Sequence, residues 1–170
     1  MRPSRLLSHD RIALGARLAD ADAVLQHLAG LLADGELPAA RLLQLLARRE
    51  QSGSTALGDG VAIPHARIES LEQPRAAFLS LGNGVAFGAP DGAPVDLFFA
   101  LLVPAHATGE HLSILAGIAE RFGDGATRAM LRRARTSAAV LDLLGDSLSG
   151  AAARSAPSPH ANCSTRSPSA

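Results

Sequence analysis

A chain of 170 residues with 16 basic and 16 acidic residues, no net charge and 47% apolar composition has material for one ordinary hydrophobic core. Every basic residue is an Arg, the arginines are scattered, and Trp and Tyr are absent, so the concentrated basic face and stacking aromatics of a nucleic-acid binder are missing. No run reaches the roughly 18 apolar residues of a membrane helix, MRPSRLLSHD lacks the apolar region of a secretory signal, and the single Cys163 sits in a polar stretch; the expectation is a cytoplasmic protein with no nucleic acid, no membrane insertion and no thiol chemistry.

The first periodic segment, Ala21 to Asp34, places Val24, Leu25, Leu28, Leu31 and Leu32 on one helical face, with Gly35 as its C-cap. Pro38 suits the first turn of a second helix, whose stripe of Leu42, Leu45 and Leu46 ends on Arg49 and leaves Arg48 pointing away. Gly53, Gly58 and Gly60 then break helicity, and Val61 to His65 and Ala76 to Ser80 have strand character. Val95 to Val103, VDLFFALLV, is apolar on both alternating faces and predicts a central strand covered on each side, so helices must flank both faces of the sheet. Thr108 is the expected N-cap of the next helix, with Leu112, Leu115, Ile118, Ala119 and Phe122 inward and His111 in the first turn. Segments from Ala126 to Arg135 and from Ser137, itself a cap candidate, to Leu144 complete the ordered part. The fold expected is α/β: one domain over 1–148, a mixed sheet flanked by helices on both faces, with no internal repeat. Residues 149–170 are rich in Ser, Pro and small residues and read as a disordered tail.

GSTALGDGVAIPHARI, residues 53–68, is the segment with chemical content. His65 directly follows a proline at the end of a short apolar run, which would point an imidazole from the rim of a sheet on a stiff backbone. A neutral imidazole, with an ordinary pKa near 6.5, offers a lone pair to phosphorus while its other nitrogen is held by a hydrogen bond. Arg49 would supply a planar fork of donors for phosphoryl oxygens, and His111 at a helix start would lie beside free N–H groups and the positive end of the dipole. Plainer roles stand beside these: His65 bonded to a carbonyl at the rim, His111 as a polar first-turn residue, Arg49 paired with Glu50 or Glu110. His106 invites a zinc reading together with His65, but no Cys accompanies them and the HExxH spacing is absent, so no metal is expected. His9, His27 and His160 read as surface or tail residues. With neither GK[ST] nor GxGxxG, the glycines at 53, 58 and 60 imply a turn that presents His65, and no cofactor is expected.

Three blocks, RREQSGSTALGDGVAIPHAR (48–67), VAFGAPDGAPVDLFFALLVP (85–104) and GEHLSILAGIAERF (109–122), together resemble the fructose/mannitol-type enzyme IIA domain of the bacterial phosphoenolpyruvate-dependent phosphotransferase system. The likeness covers residues 5–147 in the family's order and spacing, and a lone IIA module is most similar to the nitrogen-regulatory branch. It implies phosphorylation of His65 by the phosphohistidine of HPr or its nitrogen-branch paralogue, with His111 as second active-site histidine and Arg49 as active-site arginine. Arg67 falls where the family usually carries a basic residue. In the regulatory branch the output is control of target proteins such as kinases and transporters; the alternative is a sugar-specific IIA that hands its phosphate to a IIB domain for fructose or mannitol uptake. A binding module that never carries phosphate is a third reading. Two positions depart from the pattern: Ala56 stands where glycine is common, which would strain a turn needing positive φ, and Gly88 where an acid is frequent. Val85, Phe87 and Ala89 are open between docking surface and core.

Overall fold

A computed structural model describes residues 6–153. Its elements run β1 (Leu7–Ala16), α1 (Ala21–Leu32), α2 (Ala39–Gln51), β2 (Ala56–Gly58), β3 (Val61–Ala62), β4 (His65–Ile68), β5 (Arg75–Val85), β6 (Val95–Pro104), α3 (Thr108–Gly123), α4 (Gly125–Arg133) and α5 (Ser137–Ala153). The six strands form one mixed sheet in the order β1-β5-β6-β3-β2, with β4 also paired to β6. Pairing is parallel for β1 with β5 and for β3 and β4 with β6, and antiparallel for β5 with β6 and β2 with β3.

β6 is the centre of the sheet because nothing in it but Asp96 tolerates water: every other residue from Val95 to Pro104 is buried. Its alternate side chains feed two separate cores. Phe98, Ala100 and Leu102 join Val24, Leu28, Leu32, Leu42 and Leu46 of α1 and α2 on one face. On the other face Leu97, Phe99, Leu101 and Val103 meet Ile114, Ile118 and Phe122 of α3, Leu131 of α4 and Val140 and Leu144 of α5. The two-sided strand and the helices on both faces are as the sequence implies. Among the described residues, no helix is long and apolar enough to cross a membrane.

β3 and β4 are one strand with a missing rung. Every pairing from Val61↔Leu97 and Ala62↔Phe98 to Ile68↔Pro104 keeps the same offset, so the strand passes through Ile63-Pro64 without slipping register. Pro64 has no N–H to give to a ladder, which divides the strand in two, yet its carbonyl still accepts from the Leu101 N–H at 2.9 Å. Before this strand, Asp59 and Gly60 close the β2–β3 hairpin with φ of 54° and 77°, the positive values a two-residue type I′ turn requires.

Several local expectations are corrected. β1 has no counterpart in the sequence reading, because four residues intervene between its Leu7↔Ala76 and Ile12↔Phe78 pairings where β5 has one, and that bulge spoils the alternation. α1 stops at Leu32 with Ala33 as its cap; the Asp34 carboxylate turns the chain by accepting from the N–H groups of Glu36 and Leu37, so Gly35 is not needed as a C-cap. Thr108 is the first helical residue of α3 and Ala107 its cap. In α5 the cap is Thr136, whose hydroxyl accepts from the Ala139 N–H, while Ser137 lies inside the helix. Leu112 is 66% exposed, not inward, and the inward stripe is His111, Ile114, Ile118 and Phe122. α5 also runs to Ala153, past Ser149 where disorder was expected, in keeping with the helix propensity of Ala151 to Ala153. The rest of that tail, with His160 and Cys163, lies outside the described residues.

Candidate active site

Alternation along the β3–β4 strand decides which way His65 faces. Ala62, Ala66 and Ile68 pack into the α1/α2 core, and Val61 and Ile63 into the α3 core. His65 and Arg67 therefore share the α3 face, His65 partly buried and Arg67 exposed. The ring does bond a carbonyl, as its plainer reading anticipates: Nδ1 lies 2.9 Å from the Ile63 oxygen. A carbonyl only accepts, so Nδ1 carries the proton and Nε2 keeps a bare lone pair. That lone pair faces the Arg49 Nε–H, which donates to it at 3.2 Å.

Arg49 reaches the ring from the last turn of α2, as its place on the inward stripe implies. Its Nη1 donates to the Gly53 carbonyl at 2.8 Å, which fixes the guanidinium beside the ring. Ser52 caps the helix by donating its N–H to the carbonyls of Arg49 and Glu50. Glu50 is not the partner of Arg49; its two carboxylate oxygens accept from the Thr55 N–H at 2.9 Å and the Thr55 hydroxyl at 2.6 Å. Thr55, only 6% exposed, passes its carbonyl on to the Ile63 N–H. Sequence reasoning weighed Glu50 only as an ion-pair partner and did not single out Thr55. Neither follows a periodic pattern, and only the fold brings the helix end and the following loop onto the strand.

His111 arrives from the opposite side, in the first turn of α3. Its ring centroid is 5.4 Å from that of His65, with the planes at 56°. The residue is 5% exposed and its Nδ1 is buried without a hydrogen-bond partner. The neutral tautomer that leaves Nδ1 as a bare lone pair puts the proton on Nε2, which makes a buried N–H unnecessary at the orphaned atom. The three residues singled out as a site are thus brought together, with Arg67 exposed at the rim and in no salt bridge among the described residues. His106 is exposed and takes no part, and among the described residues no group of three or more His, Cys, Asp or Glu could hold a metal.

Both histidines are held neutral. Burial is the first cause that pulls the His65 pKa below its usual value; the charges of Arg49 and Arg67 pull the same way, while the Ile63 carbonyl and the Glu50 charge oppose them. His111 is lowered by burial first, then by His65 and Arg67. At neutral pH the result is a pair of uncharged imidazoles beside two guanidinium charges, an arrangement suited to receive an anion.

The turn behind His65 is braced by α4. Arg132 grips the Asp96 carboxylate with two bonds of 2.8 Å and donates to the Asp59 carbonyl at 2.7 Å, while the Asp59 N–H donates to Asp91 at 2.8 Å. The two departures noted in the sequence find their place here. Ala56 has no positive φ and pairs with Ala62 in β2, so alanine strains nothing. Gly88 has φ of 67°, and a Cβ there would come within 3.2 Å of the Ser54 Cβ, which explains glycine at this point of the loop. Val85 and Phe87, 6% and 5% exposed, belong to the core, and Phe87 packs edge-on against Phe98.

Residues 5–147 match the family model of the phosphoenolpyruvate-dependent sugar phosphotransferase system, EIIA 2. A nitrogen regulatory protein of Pseudomonas aeruginosa is 44% identical over 130 residues, which cover 75% of this chain and 84% of that one. The crystal structure of nitrogen regulatory protein IIA-Ntr from Neisseria meningitidis superposes with a TM-score of 0.79 at 37% identity, over 82% of this chain and 96% of that one. The IIA mannitol protein of Escherichia coli, at 21% identity, shares the fold with a TM-score of 0.66 over 81% and 97% of the two chains. A match that takes in the sheet, the helices on both its faces and the whole His65 neighbourhood makes this chain a member of the EIIA type-2 family, a phosphotransferase component of that system.

Proposed function

We propose that the chain accepts a phosphoryl group on His65 Nε2 from the phosphohistidine of HPr or its nitrogen-branch paralogue, and that its phosphorylation state decides which target proteins it binds in the cytoplasm. The observation that carries this reading is the pair of contacts on the His65 ring, Ile63 oxygen at Nδ1 and Arg49 at Nε2. The first fixes the tautomer that leaves the lone pair on Nε2, and the second sets a donor where negative charge must arrive.

In the step itself the Nε2 lone pair forms a bond to phosphorus as the donor's P–N bond breaks, and the electron pair of that bond returns to the donor's ring nitrogen. Charge in a loose phosphoryl transition state lies on the equatorial oxygens, so the protein's task is positioning and charge stabilisation. Arg49 moves its donors from the lone pair to those oxygens, a match for its planar fork. His111 donates its remaining N–H to the same group, and Arg67 adds long-range attraction at the rim. The Ile63 carbonyl steadies the positive charge that the ring acquires. Leu57 and Leu112, 48% and 66% exposed, give an approaching carrier apolar surface on β2 and on the helix of His111.

The likeness to nitrogen regulatory proteins supports the regulatory reading over sugar transport. About two added negative charges at a shallow surface site switch protein contacts by electrostatics and desolvation. Incubation with phosphoenolpyruvate, enzyme I and the carrier should give acid-labile, base-stable phosphate that His65→Ala abolishes. Arg49→Ala and His111→Ala should slow labelling by roughly a hundredfold each while the fold survives. Absence of label on the wild type would leave a pure binding module, and transfer onward to a fructose or mannitol IIB domain would favour the transport branch.

A further inference from the structure

We infer that Glu50 and Thr55 are positioning residues for the phosphoryl acceptor: one carboxylate clamp at the end of α2 sets the orientation of both the His65 ring and the Arg49 guanidinium. The inference rests on His65 being the acceptor. Neither residue touches that ring. Both act through backbone groups that do.

The geometry forms a closed frame. From Glu50 the two carboxylate oxygens take the Thr55 N–H at 2.9 Å and the Thr55 hydroxyl at 2.6 Å, using both donors of one residue. The Thr55 carbonyl then holds the Ile63 N–H at 3.1 Å, and the Ile63 carbonyl holds His65 Nδ1 at 2.9 Å. On the other side of the same loop, the Glu50 carbonyl takes the Gly53 N–H at 3.1 Å and the Gly53 carbonyl takes Arg49 Nη1 at 2.8 Å. Arg49 completes the circuit on His65 Nε2. The loop of residues 52–55 is thus the one piece of backbone that fixes both nitrogens of the imidazole, and the Glu50 clamp is what fixes the loop at its Thr55 end.

Burial and chemistry favour a clamp of this kind over a chance surface contact. Thr55 is 6% exposed, so its hydroxyl needs a partner, and a charged acceptor makes the strongest neutral-donor bond available. A carboxylate is also the only side chain that can accept from both an N–H and an O–H with geometrically equivalent oxygens; an amide can accept with one atom only. Ser54 extends the frame by donating to the Phe87 carbonyl and accepting from the Ala56 N–H, which ties the loop to the core. The groups facing His65 besides this frame are Arg67 on its own strand and His111 of α3, and neither is linked to the clamp.

Three variants test it: Glu50→Gln, which keeps shape but loses one acceptor and the charge; Thr55→Val, which keeps shape but loses the hydroxyl; and Thr55→Ser, which restores it. The readouts are the ring tautomer and pH titration of His65 by nitrogen-15 and carbon-13 NMR, and phosphoryl acceptance against carrier concentration. Glu50→Gln and Thr55→Val should lower the fraction of the Nδ1–H tautomer and slow maximal acceptance by about tenfold at unchanged half-saturating carrier, as expected for a misaligned acceptor that still docks. Glu50→Gln should also shift the His65 titration to lower pH, and Thr55→Ser should behave as wild type. Should Glu50→Gln fail to fold, the Thr55→Val and Thr55→Ser pair decides the matter alone. Variants with wild-type tautomer, titration and maximal rate overturn the inference, as does a loss confined to carrier affinity. A wild type that never accepts phosphate would instead overturn the relay reading beneath it.

Discussion

Gly60→Ala is the most demanding test of how the turn behind His65 is held. Gly60 has φ of 77°, and a Cβ there would lie 2.5 Å from Arg132 Nη2 and 2.6 Å from Asp96 Oδ1. The left-handed backbone alone costs an L-residue about 1–2 kcal/mol. Arg132 must then move, giving up its grip on Asp96, a half-exposed pair with side chains 38% and 25% exposed and hence about 1 kcal/mol, and its bond to the Asp59 carbonyl, about 1 kcal/mol more. The sum is about 3–4 kcal/mol, which lowers the melting temperature of a domain this size by roughly 6–16 °C. Urea denaturation of Gly60→Ala, Arg132→Ala and the double variant separates the two causes. With Arg132 gone, the backbone cost and the Asp96 contact remain but the two Arg132 bonds are no longer lost a second time, so the double variant should be about 2 kcal/mol more stable than the sum of the singles predicts. Additivity within about 0.5 kcal/mol, or a Gly60→Ala cost below about 1 kcal/mol, would refute the claim that Arg132 occupies the place of the missing Cβ.

Two further outcomes follow from the same coordinates. Because folding lowers the pKa of both His65 and His111, stability is full above the ordinary histidine pKa near 6.5 and declines as pH falls below it, where the unfolded chain gains protons that the folded one refuses; urea midpoints measured at pH 7.5 and 5.5 should show the decline, and its reduction in His111→Gln checks the source. Leu112→Ser should change stability by no more than about 0.5 kcal/mol, whereas Ile114→Ala, at 4% exposure, should cost about 2–4 kcal/mol, and equal losses would show that the helix packs on the other stripe.

That last pair shows where the sequence is ambiguous. Ile118 and Phe122 are inward as the sequence implies, and Leu115 and Ala119 pack against the same core, but in the first turns preferring Leu to His places Leu112 inside where the structure has His111 and Ile114. Tertiary context reversed it, since His111 is drawn inward by the site. VDLFFALLV was legible because both faces of β6 are apolar, and Pro64-His65 because proline fixes the backbone before it. β1 was not legible, since its bulge removes the alternation that marks a strand. Among the site residues, Arg49 lay on a readable helical stripe, whereas the Glu50 clamp on Thr55 depends on a loop whose path no local pattern encodes.

The unbroken register through Ile63 and Pro64 also says how a transfer complex must assemble. In the proposed relay, a side chain mounted on a strand that keeps its register against β6 has no backbone hinge of its own, so it cannot swing out to collect its cargo. All the search for in-line alignment falls to the incoming molecule, and the speed of the exchange becomes a property of how that visitor lands. Changes at the landing rim should then tune rate and partner choice while the ring at the centre stays where the strand put it.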